Sequence, residues 1–486
     1  MARISFLNFA QGAYTDVGLM SVPDTALHIL DNADTSYKIG AILKRPGYEK
    51  IGGTLEATKP ITGLHNFRQS SATQKMLATV NNAGGTATQL FYGTGGNWTE
   101  LTNAETAWAT FEDAKVEFED FLGYCFMAGY DSTDGAWLPN ATLTGTTFGT
   151  TLTTSMPNAK YIKRYRDRLY LANCYSGAAY PYRIYYSSVP SAGSITWTTA
   201  TDFLDVDFSE ALTGLGENFD RLLSFTEYSC YFYNQSEWKK MFDVGCSAHR
   251  TIKNMGGYTL WANRDGVWLS NGGEPQNIAG RVIDFIRGAN MTNAFAEVVD
   301  EEYHLYLGSV SVNGVSYSNL SLVFNLPTQS WRWHEYYDSY AVFAKFYSAG
   351  QDYLYMGATD GNVHRLGKYT DATLLTSDVG QPIHSWFQTG ALSFGDPSTS
   401  KRFDKFFAYA DRAQGLRFRA RVVDKNTQAL SAWKNLAEVK GYITEDQCNP
   451  DAGNLIQIEA AEHGTSPYFS LYGFTIDVVQ DSPNKK

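Results

Sequence analysis

No run of eighteen apolar residues occurs in this chain, so the sequence offers no helical membrane span and no membrane anchor is expected. The opening Met1-Ala2-Arg3-Ile4-Ser5 leads into no long apolar segment, so no signal peptide is expected. Cysteine is scarce. Cys125, Cys174, Cys230, Cys246 and Cys448 are odd in number and lack the two-residue spacing of a zinc ligand set, which excludes a disulfide framework. Cys125 and Cys230 sit in apolar strand patterns and read as buried thiols, and the chain is expected to fold in a reducing cytoplasm. Basic charge is in deficit: 39 Lys and Arg face 50 Asp and Glu, for a net charge of −11. A dedicated nucleic-acid binder needs a basic face for counterion release, so this balance argues against one while leaving a chain that DNA merely passes. The nucleophile-elbow, P-loop and His-Glu-x-x-His motifs are all missing.

Aromatic residues and glycine are abundant. The 486 residues include 32 Tyr, 28 Phe, 11 Trp and 43 Gly, with only 18% charged side chains. That mixture describes short strands joined by tight turns. The clearest turn follows Tyr258-Thr259-Leu260-Trp261-Ala262, where Asn263-Arg264-Asp265-Gly266 precedes Val267-Trp268-Leu269-Ser270. Asp-Gly between β-prone runs signals a hairpin. Asp134-Gly135-Ala136-Trp137 repeats the order of Asp265-Gly266-Val267-Trp268, and Tyr353 stands seven residues before Asp360-Gly361, as Tyr258 stands before Asp265. The Asp-Gly spacings of 131 and 95 residues approximate multiples of the roughly 40–50-residue period of propeller blades.

Three stretches and a tail follow from the pattern. Residues 1–60 read as an irregular N-terminal arm, with apolar spots such as Phe6, Phe9, Leu27 and Leu30 but no periodicity. Residues 61–370 carry about seven groups of short strands, each ending near an aromatic, which predicts an all-β fold with a six- or seven-bladed β-propeller. Residues 371–480 carry longer strands. Leu416, Phe418, Ala420 and Val422 alternate there with Arg417, Arg419, Arg421 and Val423, which suits a C-terminal antiparallel β-sandwich. Residues 481–486 read as a frayed tail. Helix is expected only over Ala279–Gly288 and Thr292–Val298.

No constellation of catalytic, cofactor-binding or metal-ligating residues stands out, so the chain is expected not to be an enzyme and to need no cofactor. The singled-out positions are the structural turns Asp134, Gly135, Asp265, Gly266, Asp360 and Gly361, and a basic patch of Lys163, Arg164, Arg166 and Arg168. As a strand, Arg164, Arg166 and Arg168 would share one face, able to touch phosphates or an acidic neighbouring subunit. Asp205 and Asp207 would likewise share a face and could meet a cation, although solvated strand positions explain them as well. His249 and His304 read as structural. Ser187–Trp197 faintly echoes the Asp-box turn of sialidase-like glycosidases but lacks the aspartate.

The order of features resembles the tail-nozzle and neck β-propeller proteins of bacteriophages, the group that includes packaged-DNA stabilisation and tail hub proteins of short-tailed phages. The resemblance rests on Leu30-Asp31-Asn32, then Gly40-Ala41-Ile42-Leu43-Lys44-Arg45-Pro46-Gly47, then Gly216-Glu217-Asn218-Phe219-Asp220-Arg221-Leu222-Leu223-Ser224-Phe225. Gly245-Cys246-Ser247-Ala248-His249, the Gly266-Val267-Trp268 hairpin and Pro275-Gln276-Asn277-Ile278 continue it, so that it covers most of residues 20–370. It implies a structural virion protein, assembled in the host cytoplasm into a homohexameric ring that forms part of the DNA exit channel. The partners it implies are a portal adaptor or neighbouring tail ring, tail fibres or spikes, and genomic DNA in transit. The rival readings are a receptor- or carbohydrate-binding adhesin and, behind it, a sialidase-like glycosidase.

Overall fold

Asn263 and Gly266 face each other across a two-residue turn, Arg264-Asp265, that joins the strands Tyr258–Asn263 and Gly266–Ser270. The side chain of Asn263 builds this turn: its Oδ1 accepts from the Asp265 N–H and from Trp268 Nε1, both at 2.9 Å. Gly266 serves a different need. A Cβ there would lie 2.4 Å from Asn277 Nδ2, which donates to the Asp265 carbonyl and ties the next strand to the turn. Asp134-Gly135 lies between the paired strands Tyr124–Asp131 and Ala136–Trp137, and Asp360-Gly361 between Gln351–Ala358 and Val363–Leu366. At the first, Asp131 Oδ1 caps the Thr133 and Asp134 N–H groups. At the second, Asp360 Oδ1 accepts from the Asn362 N–H.

The structure is a computed structural model that describes residues 2–480 except 71–72, 94–95, 150–154, 192, 208, 219–220, 235, 313, 412–414, 424–428, 440, 449–451 and 463–468. The expected frayed tail, 481–486, lies outside the described residues. Strand dominates, and the six- or seven-bladed propeller with a separate arm and sandwich must be corrected. Among the described residues the strands form eight separate sheets of four to nine strands, and none is circularised. The tail-nozzle propeller description falls with that architecture; an all-β protein of separate sheets replaces it.

Four sheets of four strands each run antiparallel in chain order, beginning with Ile61–Ser70, Asn158–Tyr165, Gly214–Asn218 and Lys253–Met255. A five-stranded sheet begins with Lys115–Phe121. The remaining three sheets mix distant parts of the chain, for which the period-two pattern of single strands gives no signal. In the nine-stranded sheet, Ser330–Glu335 lies parallel to Leu27–Asp31, which pairs with Ser385–Thr389, and Leu455–Glu462 and Arg417–Val423 follow. A six-stranded sheet pairs Val363–Leu366 with Tyr48–Lys50. Another places Ala2–Phe6 and Ile42–Lys44 against Ser470–Gln480.

The N-terminal stretch is therefore woven in. Phe9, Leu27 and Leu30 are fully buried in one hydrophobic core with Trp331, Trp333, Phe387, Phe418 and Phe474. Phe418, Ala420 and Val422 point into that core as the alternation implies, while Arg417 and Arg419 face outward. Ile283–Gly288 is helical within the expected segment, with Phe285 and Ile286 buried. Thr292–Val298 is instead a short turn, Met291–Asn293, followed by the strand Phe295–Val299, because Val298 and Val299 find cross-strand partners in Tyr303 and Glu302. All five cysteines are free and buried. No helix among the described residues is long and apolar enough to cross a membrane, which says nothing of strands.

Candidate functional site

Buried charge concentrates where the N-terminal stretch meets the nine-stranded sheet. Arg332 stands in Ser330–Glu335 between Trp331 and Trp333, a strand of buried side chains. An isolated charge there would be very costly, so it requires partners. Arg332 Nη2 donates to Glu302 Oε2 at 2.6 Å, and Nη1 lies 3.5 Å from Asp34 Oδ1. Ser36 Oγ donates to Asp34 at 2.6 Å and bridges to Glu302 at 3.1 Å. Burial alone would lower the Arg332 pKa, but Asp34 and Glu302 outweigh it and raise it.

A cavity of about 340 Å³ opens beside this network, lined also by His304, His334, Lys368 and Tyr369. Burial and then the Arg332 charge lower both imidazoles, His304 to about 3 and His334 well below its ordinary value, so both are neutral at pH 7. His304 Nδ1, His334 Nε2 and Arg332 Nε have no hydrogen-bond partner among the described residues. The cavity thus sets two neutral imidazoles among charged groups, Arg332 and Lys368 with Asp34, Asp300 and Glu302.

A second polar cluster sits where Ile61–Ser70, Lys115–Phe121, Phe295–Val299 and Tyr340–Ser348 come together. Arg250 Nε donates to Glu117 Oε1 at 2.8 Å, and its Nη2 donates to the Thr62 and Val116 carbonyls at 2.8 and 3.1 Å. Lys253 pairs with Glu297 at 3.0 Å. Burial pushes the Glu117 carboxyl up, but Arg250 and His249 more than reverse this and hold it below its ordinary value. His249, packed on the Tyr161 ring at 4.4 Å, is pushed down to about 4 by burial. Arg250 thus joins the sheets that hold Thr62 and Glu117, and Lys253 joins its own sheet to that of Glu297.

The basic patch does not share a strand face. Lys163 and Arg164 belong to Asn158–Tyr165, Arg166-Asp167 is the turn, and Arg168 opens Arg168–Tyr175. Arg166 takes φ +53°, which breaks the alternation the strand reading assumed. Lys163 pairs with Glu119 at 3.5 Å, Arg164 lies over Phe121, and Arg168 Nη1 donates to the Ser187 carbonyl at 2.6 Å. Asp205 forms a two-point pair with Arg183, at 2.6 and 3.0 Å. Asp207, beyond that strand, accepts from Ser209 and Tyr231.

A different trio lies together: His65, Asp120 and Cys125, whose ligand atoms all fall within 4.8 Å of one another. Sequence spacing could not find it, because His65 belongs to a different sheet from the other two. The Arg332 network had one legible signal, a charged residue between two tryptophans of a strand. No family model matches the chain, and no curated protein matches it.

Proposed function

We propose that the chain is a non-enzymatic structural subunit of an oligomeric virion ring, in the neck or tail of a phage, past which genomic DNA moves. The observation that carries this reading is an exposed apolar patch made jointly by the N-terminal stretch and the C-terminal strands. Leu7, Ile39, Tyr442 and Ile443 are 58%, 73%, 65% and 60% exposed. Leu7, Ile39 and Tyr442 line one open groove with Tyr409 and Tyr472. Large exposed apolar side chains gathered on one face mark contact surfaces in soluble proteins. The occupant we assign is a second copy of this chain, whose repetition around a rotation axis closes a ring. The resemblance of the order of sequence features to phage neck and tail proteins supports the same reading, and the acidic balance suits a wall that DNA slides past. The test is native mass measurement. The wild-type chain forms a closed oligomer, and Ile39→Asp with Leu7→Asp dissociates it; a wild-type monomer at every concentration removes the proposal.

A second reading draws on the same groove. Tyr409, Tyr442 and Tyr472 could stack sugar rings, as a carbohydrate-binding adhesin requires. Glycan binding abolished by Tyr442→Ala, in a chain that stays monomeric, would favour it over the ring.

A further inference from the structure

We propose that His65, Asp120 and Cys125 form a zinc site that staples two neighbouring sheets. Cross-strand register builds half of it. In the hairpin of Lys115–Phe121 and Tyr124–Asp131, Asp120 stands opposite Cys125, so both side chains lie on one face. The other half comes from the adjacent sheet. His65, in Ile61–Ser70, places Nε2 2.8 Å from Asp120 Oδ1. Its ring lies flat on Phe118, with centroids 5.4 Å apart and planes 6° from parallel, which fixes its direction. The backbone N–H of Arg68 holds the second carboxylate oxygen of Asp120 at 3.1 Å.

Thiolate sulfur, imidazole nitrogen and carboxylate oxygen are the donor types that zinc takes, at about 2.3 Å for sulfur and about 2.0–2.2 Å for the others. The geometry disfavours the alternative of a cysteine nucleophile. Activation needs an imidazole that takes the thiol proton, with a carboxylate behind it. Here the thiol faces the Phe126 carbonyl at 3.9 Å, and His65 Nε2 is engaged by Asp120, so no hydrogen bond among the described residues hands the thiol proton to the imidazole. Zinc reverses that arrangement. The cation replaces the thiol proton, which leaves to solvent, and His65 offers its Nε2 lone pair with the ring proton on Nδ1; no electron is transferred. The Cys125 sulfur is sealed from water, whereas the His65 and Asp120 side chains are 24% and 30% exposed, so a water can complete four-coordination from that side.

The test uses the whole chain, reduced and freed of metal, titrated with cobalt(II) as a spectroscopic stand-in and then with zinc. The expected result is one equivalent of cobalt with a thiolate charge-transfer band, displaced by zinc, and a melting temperature that rises with zinc concentration. His65→Gln and Asp120→Asn, at partly exposed positions that keep the fold by circular dichroism, should each weaken binding about tenfold or more. Cys125→Ser should remove the band while Cys448→Ser leaves it. No charge-transfer band in the reduced wild-type chain, or binding unchanged in His65→Gln, overturns the proposal.

Discussion

Arg45 and Asp378, 333 residues apart, form a two-point ion pair almost sealed from water. Nη1 lies 2.8 Å from Oδ1 and Nη2 2.6 Å from Oδ2. The remaining donors of the guanidinium are also engaged. Nε donates to Asn32 Oδ1 at 2.6 Å, Nη2 to the Glu335 carbonyl at 2.9 Å, and the plane lies 5.0 Å from the centre of the Tyr336 ring. Burial opposes the charge, but Asp378 raises the Arg45 pKa beyond its ordinary value. One side chain thus joins the N-terminal stretch to two sheets. Arg45→Lys keeps the charge but cannot reproduce the fork, and Arg45→Ala leaves Asp378 buried and unpaired. The expected loss for Arg45→Ala is about 3–5 kcal/mol, read from the denaturant midpoint. A change below about 1 kcal/mol would mean that the pair is not buried as described.

Acid should destabilise the chain well before its carboxylates protonate. His304 titrates near 3 in the folded chain against an ordinary 6.5, chiefly through burial and then the Arg332 charge. Below pH 6.5 the unfolded chain takes up a proton that the folded chain refuses. The stability held by the neutral imidazole is therefore complete above 6.5 and lost as pH falls toward 3, on the order of 3 kcal/mol by pH 4. Equilibrium unfolding of wild type and His304→Gln across pH 4–8 checks this. The variant should show a shallower acid limb, and parallel limbs would exclude the assignment.

Asp31 works in the opposite sense. Burial, with Glu335 beside it, pushes its carboxyl up to about 8. Its Oδ2 accepts from Trp386 Nε1 at 2.9 Å, and Oδ1 has no partner among the described residues. Folding therefore binds a proton between about pH 4 and 8, and this group lowers stability as pH rises through that window, by on the order of 1 kcal/mol per pH unit. Asp31→Asn keeps an acceptor for the indole without an ionisable group. It should be more stable than wild type at pH 8 and nearly equal at pH 4, by thermal melting at both values. Equal stability at pH 8 would contradict the buried neutral acid.

Gly361 has no room for a side chain. It takes φ +82°, and a Cβ would stand 1.9 Å from the Glu56 carbonyl oxygen. Its own carbonyl accepts from the Leu55 N–H at 3.0 Å. Gly361→Ala should cost more than the roughly 1 kcal/mol of an ordinary αL glycine, because the 50s segment must move away. Gly177→Ala is the control, with φ +74° and open space around it, and should cost about that ordinary amount.

What the sequence made legible was local. The alternation at Leu416–Val423, the Asn263–Gly266 turn and the helical spacing of Phe285 and Ile286 all depend on neighbours within a few residues, and each stands in the structure. Long-range pairing left no such mark. Nothing near Leu27–Asp31 says that it lies between Ser330–Glu335 and Ser385–Thr389, so the N-terminal stretch looked irregular when it is a sheet component. The regular spacing of strand groups suggested equal blades, but hydrogen-bonded pairing across hundreds of residues made sheets of unequal size. The candidate sites were hidden for the same reason. Arg332 with Asp34, and His65 with Cys125, are spatial neighbours on different strands, and a period of two carries no information about them.

The most direct measurement of the central claim is an electron-microscopic reconstruction of the purified 486-residue chain, with the area buried at each side chain. The account predicts a closed ring of identical subunits in which Leu7, Ile39 and Tyr442 are covered by the neighbouring copy. Isolated monomers, or a ring that leaves those three side chains in water, would contradict it.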